Sequence, residues 1–112
     1  MGGPFPAPED DVDCTAHVEG NTATVKLEGR FTFEAQAGFR AATLPLLEVA
    51  GLRQVRLELS GLTCLDASAL GALLLLRERT EAKGQQVILE GPTREVRDLL
   101  AAVNFEKLFV IE

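Results

Sequence analysis

The sequence has 112 residues, 46% of them hydrophobic, and a net charge of −6 at pH 7, which is typical of one globular domain. The charge is uneven, because Glu9, Asp10, Asp11 and Asp13 lie in the first thirteen residues without a basic residue among them. This acidic balance excludes a nucleic-acid binder, which needs a basic face.

Residues 1–11 begin with "MGGPFPAP", which is rich in proline and glycine and lacks the basic and apolar regions of a secretory signal. We predict a disordered acidic leader over 1–11 and one folded domain over 12–112. The apolar run 65–76 is shorter than the roughly 20 residues that cross a bilayer, so we expect no membrane insertion and a cytoplasmic location.

Only two cysteines, Cys14 and Cys64, are present, and they lie far apart in the sequence. Two such residues form neither a disulfide framework nor a zinc site. Cys64 lies among leucines, which indicates a small buried hydrophobe. No glycine-rich phosphate-binding motif is present, so we predict no cofactor.

The first half of the chain predicts a hairpin and a helix. Residues 13–18 form a short strand candidate, Gly20-Asn21 is a turn signal, and "TATVKLEG" alternates apolar and polar residues as a half-buried strand does. A helix is expected over 34–44, with a bent or separate last turn that ends at Gly51, because Pro45 interrupts a helix interior.

The second half predicts two further strand–helix units and a last strand. "QVRLELSG" alternates as a strand, and Asp66 is expected to be the N-cap of a helix that continues to Lys83 and stops at Gly84. "QQVILEG" is a compact strand, Thr93 caps a third helix that ends at Asn104, and "KLFVIE" is the last strand. The order β-β-α-β-α-β-α-β predicts an α/β fold with a mixed, mainly parallel sheet, an antiparallel N-terminal hairpin strand and helices packed on the sheet.

"LELSGLTCLDASALGALLLL", residues 57–76, resembles the signature of the STAS domain, the fold of anti-sigma factor antagonists. That signature is a strand, a short turn and Asp-Ser-Ser-Gly-Leu-Gly at the start of an apolar helix. Here the motif reads Asp66-Ala67-Ser68-Ala69-Leu70-Gly71, and the element order matches over nearly the whole chain.

The resemblance implies a non-enzymatic binding protein that regulates transcription. In phosphorylated members the second serine of the motif, here Ser68, is the target of an anti-sigma factor that is a serine kinase. The unmodified antagonist binds the kinase, the phosphorylated one lets go, and a phosphatase resets it. We expect a monomer or weak dimer. The predicted docking patch comprises Thr32, Thr63, Asp66, Ala67, Ser68, Ala69, Leu70, Gly71 and Ala72.

The sequence departs from the family pattern at three positions. Ala67 replaces the first serine, Ala69 replaces the first glycine, and Thr32 stands where the second strand of the family often has an acid. The sequence also ends after the last predicted strand, without the C-terminal helix that is common in the family. Gly71, inside a helix, indicates close packing against the sheet or the approach of a partner helix.

Two other functions stay open. Some small STAS proteins dock on the ATPase of a lipid transporter or build signalling scaffolds without a phosphate switch. A small-molecule sensor or a hydrolase has no supporting motif, because a Ser-His-Asp arrangement would require His17, the single histidine, to reach Ser68.

Overall fold

The structure is a computed structural model that describes residues 12–112, so the predicted leader 1–11 lies outside the described residues. The predicted element order is confirmed. The strands are β1 (Val12–Glu19), β2 (Thr22–Phe31), β3 (Gln54–Leu65), β4 (Gln86–Glu90) and β5 (Val110–Ile111), and the helices are α1 (Gln36–Thr43), α2 (Ala67–Ala82) and α3 (Arg94–Ala102).

The five strands form one sheet in the order β1-β2-β3-β4-β5. β1 pairs antiparallel with β2, and the other three pairings are parallel, which confirms the predicted mixed sheet. Each crossover moves to the next strand in the same direction, and right-handed crossovers then place all three helices on one face of the sheet. Within residues 12–112, no helix is both long enough and apolar enough to cross a bilayer.

The core lies between the sheet and the helix layer. Val25, Leu57 and Leu89, from the three central strands, are fully buried. The alternate positions of the same strands point to the other face of the sheet, which is largely polar. On that face Arg56 pairs with Glu90 and Glu112, and these hydrogen bonds raise the pKa of the guanidinium above its usual value.

β3 is four residues longer than its predicted span 54–61. The reason is tertiary: β2 and β3 continue side by side to Phe31 and Leu65 through two register shifts, which residue alternation does not reveal. These irregularities extend both strands up to the start of α2 and thereby position that helix.

The other predicted boundaries differ less. The bent end of the first helix is confirmed, because Pro45 lies in a 3₁₀ segment, Leu44–Glu48, that follows α1. The last predicted strand, 107–112, is wrong in length. A 3₁₀ turn, Phe105–Lys107, occupies its beginning, and Phe109 is buried against Phe105 before β5 starts.

Gly61 of β3 lies close against β2. A Cβ atom there would meet the Cγ of Glu28 at 2.7 Å and the backbone oxygen of Leu27 at 3.1 Å. We predict that Gly61→Ala lowers the free energy of unfolding by about 1–3 kcal/mol, as overpacking does.

Urea denaturation measures this effect, and Gly38→Ala is the matched control. A Cβ at Gly38, on exposed α1, meets nothing within 4 Å, so the same change there should leave stability equal or raise it. Equal effects of the two substitutions would contradict the close approach of β2 and β3.

Candidate functional site

The carboxylate of Asp66 joins two parts of the chain that are far apart in sequence. Its Oδ1 accepts the backbone N–H of Ala69 at 2.9 Å, so Asp66 is the N-cap of α2, as predicted. Its Oδ2 accepts the backbone N–H of Phe33 at 3.0 Å. One side chain therefore starts α2 and holds the turn after β2 beside it.

Ser68 is the second residue of α2 and is partly buried. Its carbonyl oxygen accepts a hydrogen bond from Nε2 of Gln36 at 2.8 Å, which fixes the first turn of α2 against α1. The first-turn N–H groups of a helix have no acceptor within the helix, and here they include those of Ala67 and Ser68.

One side of α2 presents small and apolar residues to solvent. Ala67, Gly71 and Leu74 recur at intervals of four and three residues, which places them on a common stripe, and all three are exposed. Phe33, held beside the helix start by Asp66, is 66% exposed. We call these four residues the α2 surface; Ser68 lies on the same first turn as Ala67.

Two residues of the predicted docking patch are not on this surface. Ala69 is 0% exposed and Ala72 is 6% exposed, and both belong to the hydrophobic core. Their small side chains face the sheet and let α2 pack closely on it. The prediction that Ala69 and Ala72 belong to the docking patch is therefore wrong. Leu70 is partly exposed.

Thr63 and Thr32 flank the helix start at the ends of β3 and β2. Thr63 is exposed, donates a hydrogen bond to the carbonyl of Gly29 at 3.1 Å and lines a shallow depression with Glu95 of α3. Thr32 is bonded to a carboxylate of Glu34 at 3.2 Å. An acid is therefore present beside Thr32, two residues after the position where the family pattern has one.

Gly71 is not explained by packing against the sheet. The residue is exposed, and a Cβ built on it meets nothing within 4 Å. Of the two predicted reasons for this glycine, close packing on the sheet is wrong, and the approach of a partner is the one that the open space permits.

Sequence reasoning missed Phe33 and Gln36. Phe33 carried a misleading signal, because it follows buried Phe31 by two residues and also fits the apolar stripe of the predicted helix, so the sequence does not reveal that its side chain is exposed. Gln36 carried none, since its hydrogen bond to Ser68 crosses from α1 to α2 and depends on how the two helices pack.

Both cysteines are free thiols. Cys64 is only half-buried, so the prediction of a fully buried side chain is wrong. The reason is that Cys64 lies in the last residues of β3, near the end of the sheet. Burial, and to a lesser extent the charge of Asp13, raises the pKa of the Cys14 thiol, which keeps it protonated at neutral pH.

His17 does not reach Ser68. It pairs with Thr24 on β2, whereas α2 begins beside Phe31, at the other end of that strand. Seven residues of strand separate the two points, roughly 20 Å. His17 also lies on the polar face, opposite the helices, so it cannot serve Ser68 as a base.

Asp66 accepts two hydrogen bonds, whereas Thr93, the N-cap of α3, accepts one, from Val96 N–H to Thr93 Oγ1 at 3.3 Å. We predict that Asp66→Ala lowers the free energy of unfolding by about 1–2 kcal/mol and by more than Thr93→Ala does. Asp66→Asn keeps one acceptor oxygen and should fall between Asp66→Ala and the wild type. Urea denaturation of the four proteins checks this order, and a larger loss in Thr93→Ala would contradict it.

Comparison with known proteins agrees with this architecture. A family model described as "Mlab, STAS domain" matches residues 14–112. A STAS-domain containing protein of Pseudomonas aeruginosa is 41% identical over 93 residues, which cover 83% of this chain and 90% of the relative.

Two solved structures share the fold at low sequence identity. The anti-sigma factor antagonist SpoIIAA in its unphosphorylated form aligns with a TM-score of 0.70 and 19% identity, over 90% of this chain and 86% of that one. The Bacillus cell fate determinant SpoIIAA in the phosphorylated form aligns with a TM-score of 0.68 and 18% identity, over 90% of each chain. With a family model and a curated relative that each span most of the sequence, the chain belongs to the STAS domain family.

Proposed function

We propose that this protein is an anti-sigma factor antagonist: a non-enzymatic cytoplasmic protein that binds an anti-sigma serine kinase and is released when Ser68 is phosphorylated. The observation that carries the proposal is the position of Ser68 on the first turn of α2, next to exposed Ala67 and Gly71. A hydroxyl there borders a surface that another protein can cover. A phosphatase that removes the phosphate would restore binding and so regulate transcription.

The α2 surface has the chemistry of a docking site. Phe33, Ala67, Gly71 and Leu74 carry no charge, and Phe33 exposes two thirds of its area although it is a large aromatic side chain. Exposed aromatic residues of this kind are enriched at the centre of protein interfaces. Burial of this surface by a partner would contribute hydrophobic free energy that does not depend on a modification.

A phosphate on Ser68 would change that balance without unfolding the helix. It adds a charge of about −1.5 to −2 at neutral pH. The N-terminus of α2 partly stabilises the new charge, whereas Asp66, two residues earlier, repels it. Covered by an uncharged interface, the phosphate would lose water without gaining a matched cation, and a cost of about 1.4 kcal/mol suffices for tenfold weaker binding.

Ser68 and Ser60 are the only two serines in the sequence, which supplies a matched control. Ser60 is exposed and bonded to Glu58, away from α2. We predict that the purified kinase partner and ATP add one phosphate to the wild type and to Ser60→Ala, and none to Ser68→Ala, as read by intact mass.

The same control applies to affinity. We expect Ser68→Asp to weaken partner binding at least tenfold in titration calorimetry, whereas Ser60→Asp leaves it unchanged. Equal affinities of Ser68→Asp and Ser68→Ala would refute the switch and leave only the fold.

Gly71 tests whether the α2 surface is the docking site. We predict that Gly71→Ala raises the free energy of unfolding by up to about 1 kcal/mol, because glycine is a poor helix former and the added Cβ meets open space. Gly71→Gln should keep that stability and weaken partner binding. The control is Ala82→Gln, at the exposed end of the same helix. Equal partner affinity in both glutamine variants would place the interface elsewhere.

A second candidate is a constitutive STAS subunit that docks on a transporter ATPase or a signalling scaffold. The observation in its favour is the uncharged character of the α2 surface, which needs no phosphate to explain it. The experiments above separate the two functions. A stable complex with an ATPase that tolerates Ser68→Asp and shows no mass change supports the subunit instead of the switch.

A further inference from the structure

The two edges of the sheet differ in how much backbone they leave open. β5 has two residues and ends one edge, whereas β1 has eight and ends the other. Natural edge strands are usually protected by lysine, proline, a bulge or a short length. β1 has neither lysine nor proline, and its pairing with β2 runs without a register shift. No strand among residues 12–112 pairs with its outer edge, which therefore offers a regular row of backbone donors and acceptors to another strand.

The side chains of β1 alternate cleanly between the two faces of the sheet. Asp13, Thr15 and His17 lie on the polar face. The even-numbered positions are apolar and lie on the helix face; Val12 and Cys14 pack against the core, but Ala16 and Val18 are exposed. Half of the apolar side of this strand is thus uncovered in the single chain.

We propose that two copies of the chain pair through β1, antiparallel and about a two-fold axis at Thr15, to form one continuous ten-stranded sheet. The occupant of the open edge is a second copy, because a C2 interface uses the same patch twice and β1 is complementary to itself in this register. The dimer does not depend on the proposed function.

Backbone geometry and charge select the register. Directly opposed residues of an antiparallel pair point their side chains to the same face of the sheet, and a two-fold axis perpendicular to the sheet keeps each side chain on its own face. The axis must therefore pass through a residue and not between two. With the axis at Thr15, Asp13 faces His17 of the second copy, twice, and Val12 faces Val18. With the axis at Ala16, Asp13 faces Glu19, twice, and like charges directly opposed are destabilising.

With the axis at Thr15, compatible side chains face each other on both sides of the sheet. An imidazole donates a hydrogen bond to a carboxylate in either protonation state. On the helix face, exposed Val18 would be covered by the Val12 side chain of the other copy. The polar face therefore favours the axis at Thr15, and the helix face is compatible with it.

The helix above β1 leaves room for the second copy. α1 packs over β1, and Gln36 of α1 bonds to α2. Gly38 lies about 200° around the helix from Gln36, on the side away from α2 and toward the sheet edge. A Cβ there would meet nothing within 4 Å, so the two α1 helices can approach across the axis at a residue without a side chain.

The dimer would leave both α2 surfaces free. A two-fold axis perpendicular to the sheet reverses the strand direction in the second copy. The ends of β3 from which α2 starts then point in opposite directions, and the dimer could bind two partner molecules at once.

Sedimentation velocity of the full chain, from micromolar to hundreds of micromolar, tests the pairing. We expect a monomer–dimer equilibrium in the wild type. In His17→Asp, two acidic side chains would face each other at each of the two symmetry-related positions where Asp13 meets residue 17 of the other copy. This repulsion should weaken the dimer about tenfold. The exchanged pair Asp13→His with His17→Asp restores opposite charges and should restore the dimer.

Two further variants keep the proposal falsifiable. Gly38→Arg, whose side chain meets open space in the single chain, should abolish the dimer while circular dichroism stays unchanged. Asp13→Lys removes the carboxylate opposite His17 and should weaken the dimer, whereas a tighter dimer in that variant would place the axis at Ala16, where residue 13 faces Glu19, and would overturn the chosen register. A wild-type monomer at all concentrations, or no loss in His17→Asp, overturns the proposal. None of these readouts involves Ser68, so their failure is distinct from failure of the phosphate switch.

Discussion

The candidate site depends on the two hydrogen bonds that the carboxylate of Asp66 accepts, one at each oxygen. One oxygen caps α2 and the other holds the backbone of Phe33, so the turn after β2 and the first turn of α2 form a single unit. At the same junction, the backbone N–H of Asp66 donates a hydrogen bond to the carbonyl oxygen of Phe31 at 3.2 Å. Because these bonds bridge segments more than thirty residues apart, they hold the backbone of Phe33 beside the first turn of α2, which contains Ser68.

Local chemistry predicted the elements of this fold well. Alternation of apolar and polar residues located β2 and the first part of β3, and the caps Asp66 and Thr93 marked the starts of α2 and α3. These signals lie within a few residues of what they determine. Asp66 was also predicted as an N-cap, although its second bond, to Phe33, required knowledge of which strand ends beside the helix.

The failures share a physical origin. β3 was predicted too short because its last four residues are ordered by β2 across a bulged register. Ala69 and Ala72 were assigned to the surface because the first half of α2 is apolar on every side, so the sequence does not indicate which side meets the sheet. Gly71 shows the converse: only the empty space around it reveals that this glycine does not pack against the sheet.

The one-sided architecture separates the α2 surface from the polar face of the sheet. All helices lie on one face of the sheet, so the α2 surface and the polar face with Arg56 and His17 do not meet. Among residues 12–112, no strand pairs with the outer edge of β1. A binding event at the α2 surface and a pairing at β1 can therefore be altered by different substitutions, since no residue belongs to both.

A charge on Ser68 would act on a partner more than on the fold, and the geometry gives the reason. The backbone of Ser68 is held through its carbonyl by Gln36, and α2 is capped by Asp66, so neither restraint uses the serine hydroxyl. Adding a phosphate to that hydroxyl breaks none of these bonds, and free N–H groups at the helix start face the new charge. The folded chain then has nearly the same shape in both states. Under the proposed function, the difference would appear only when a neighbour displaced the water around the phosphate, so a small domain without a moving part could operate as a switch.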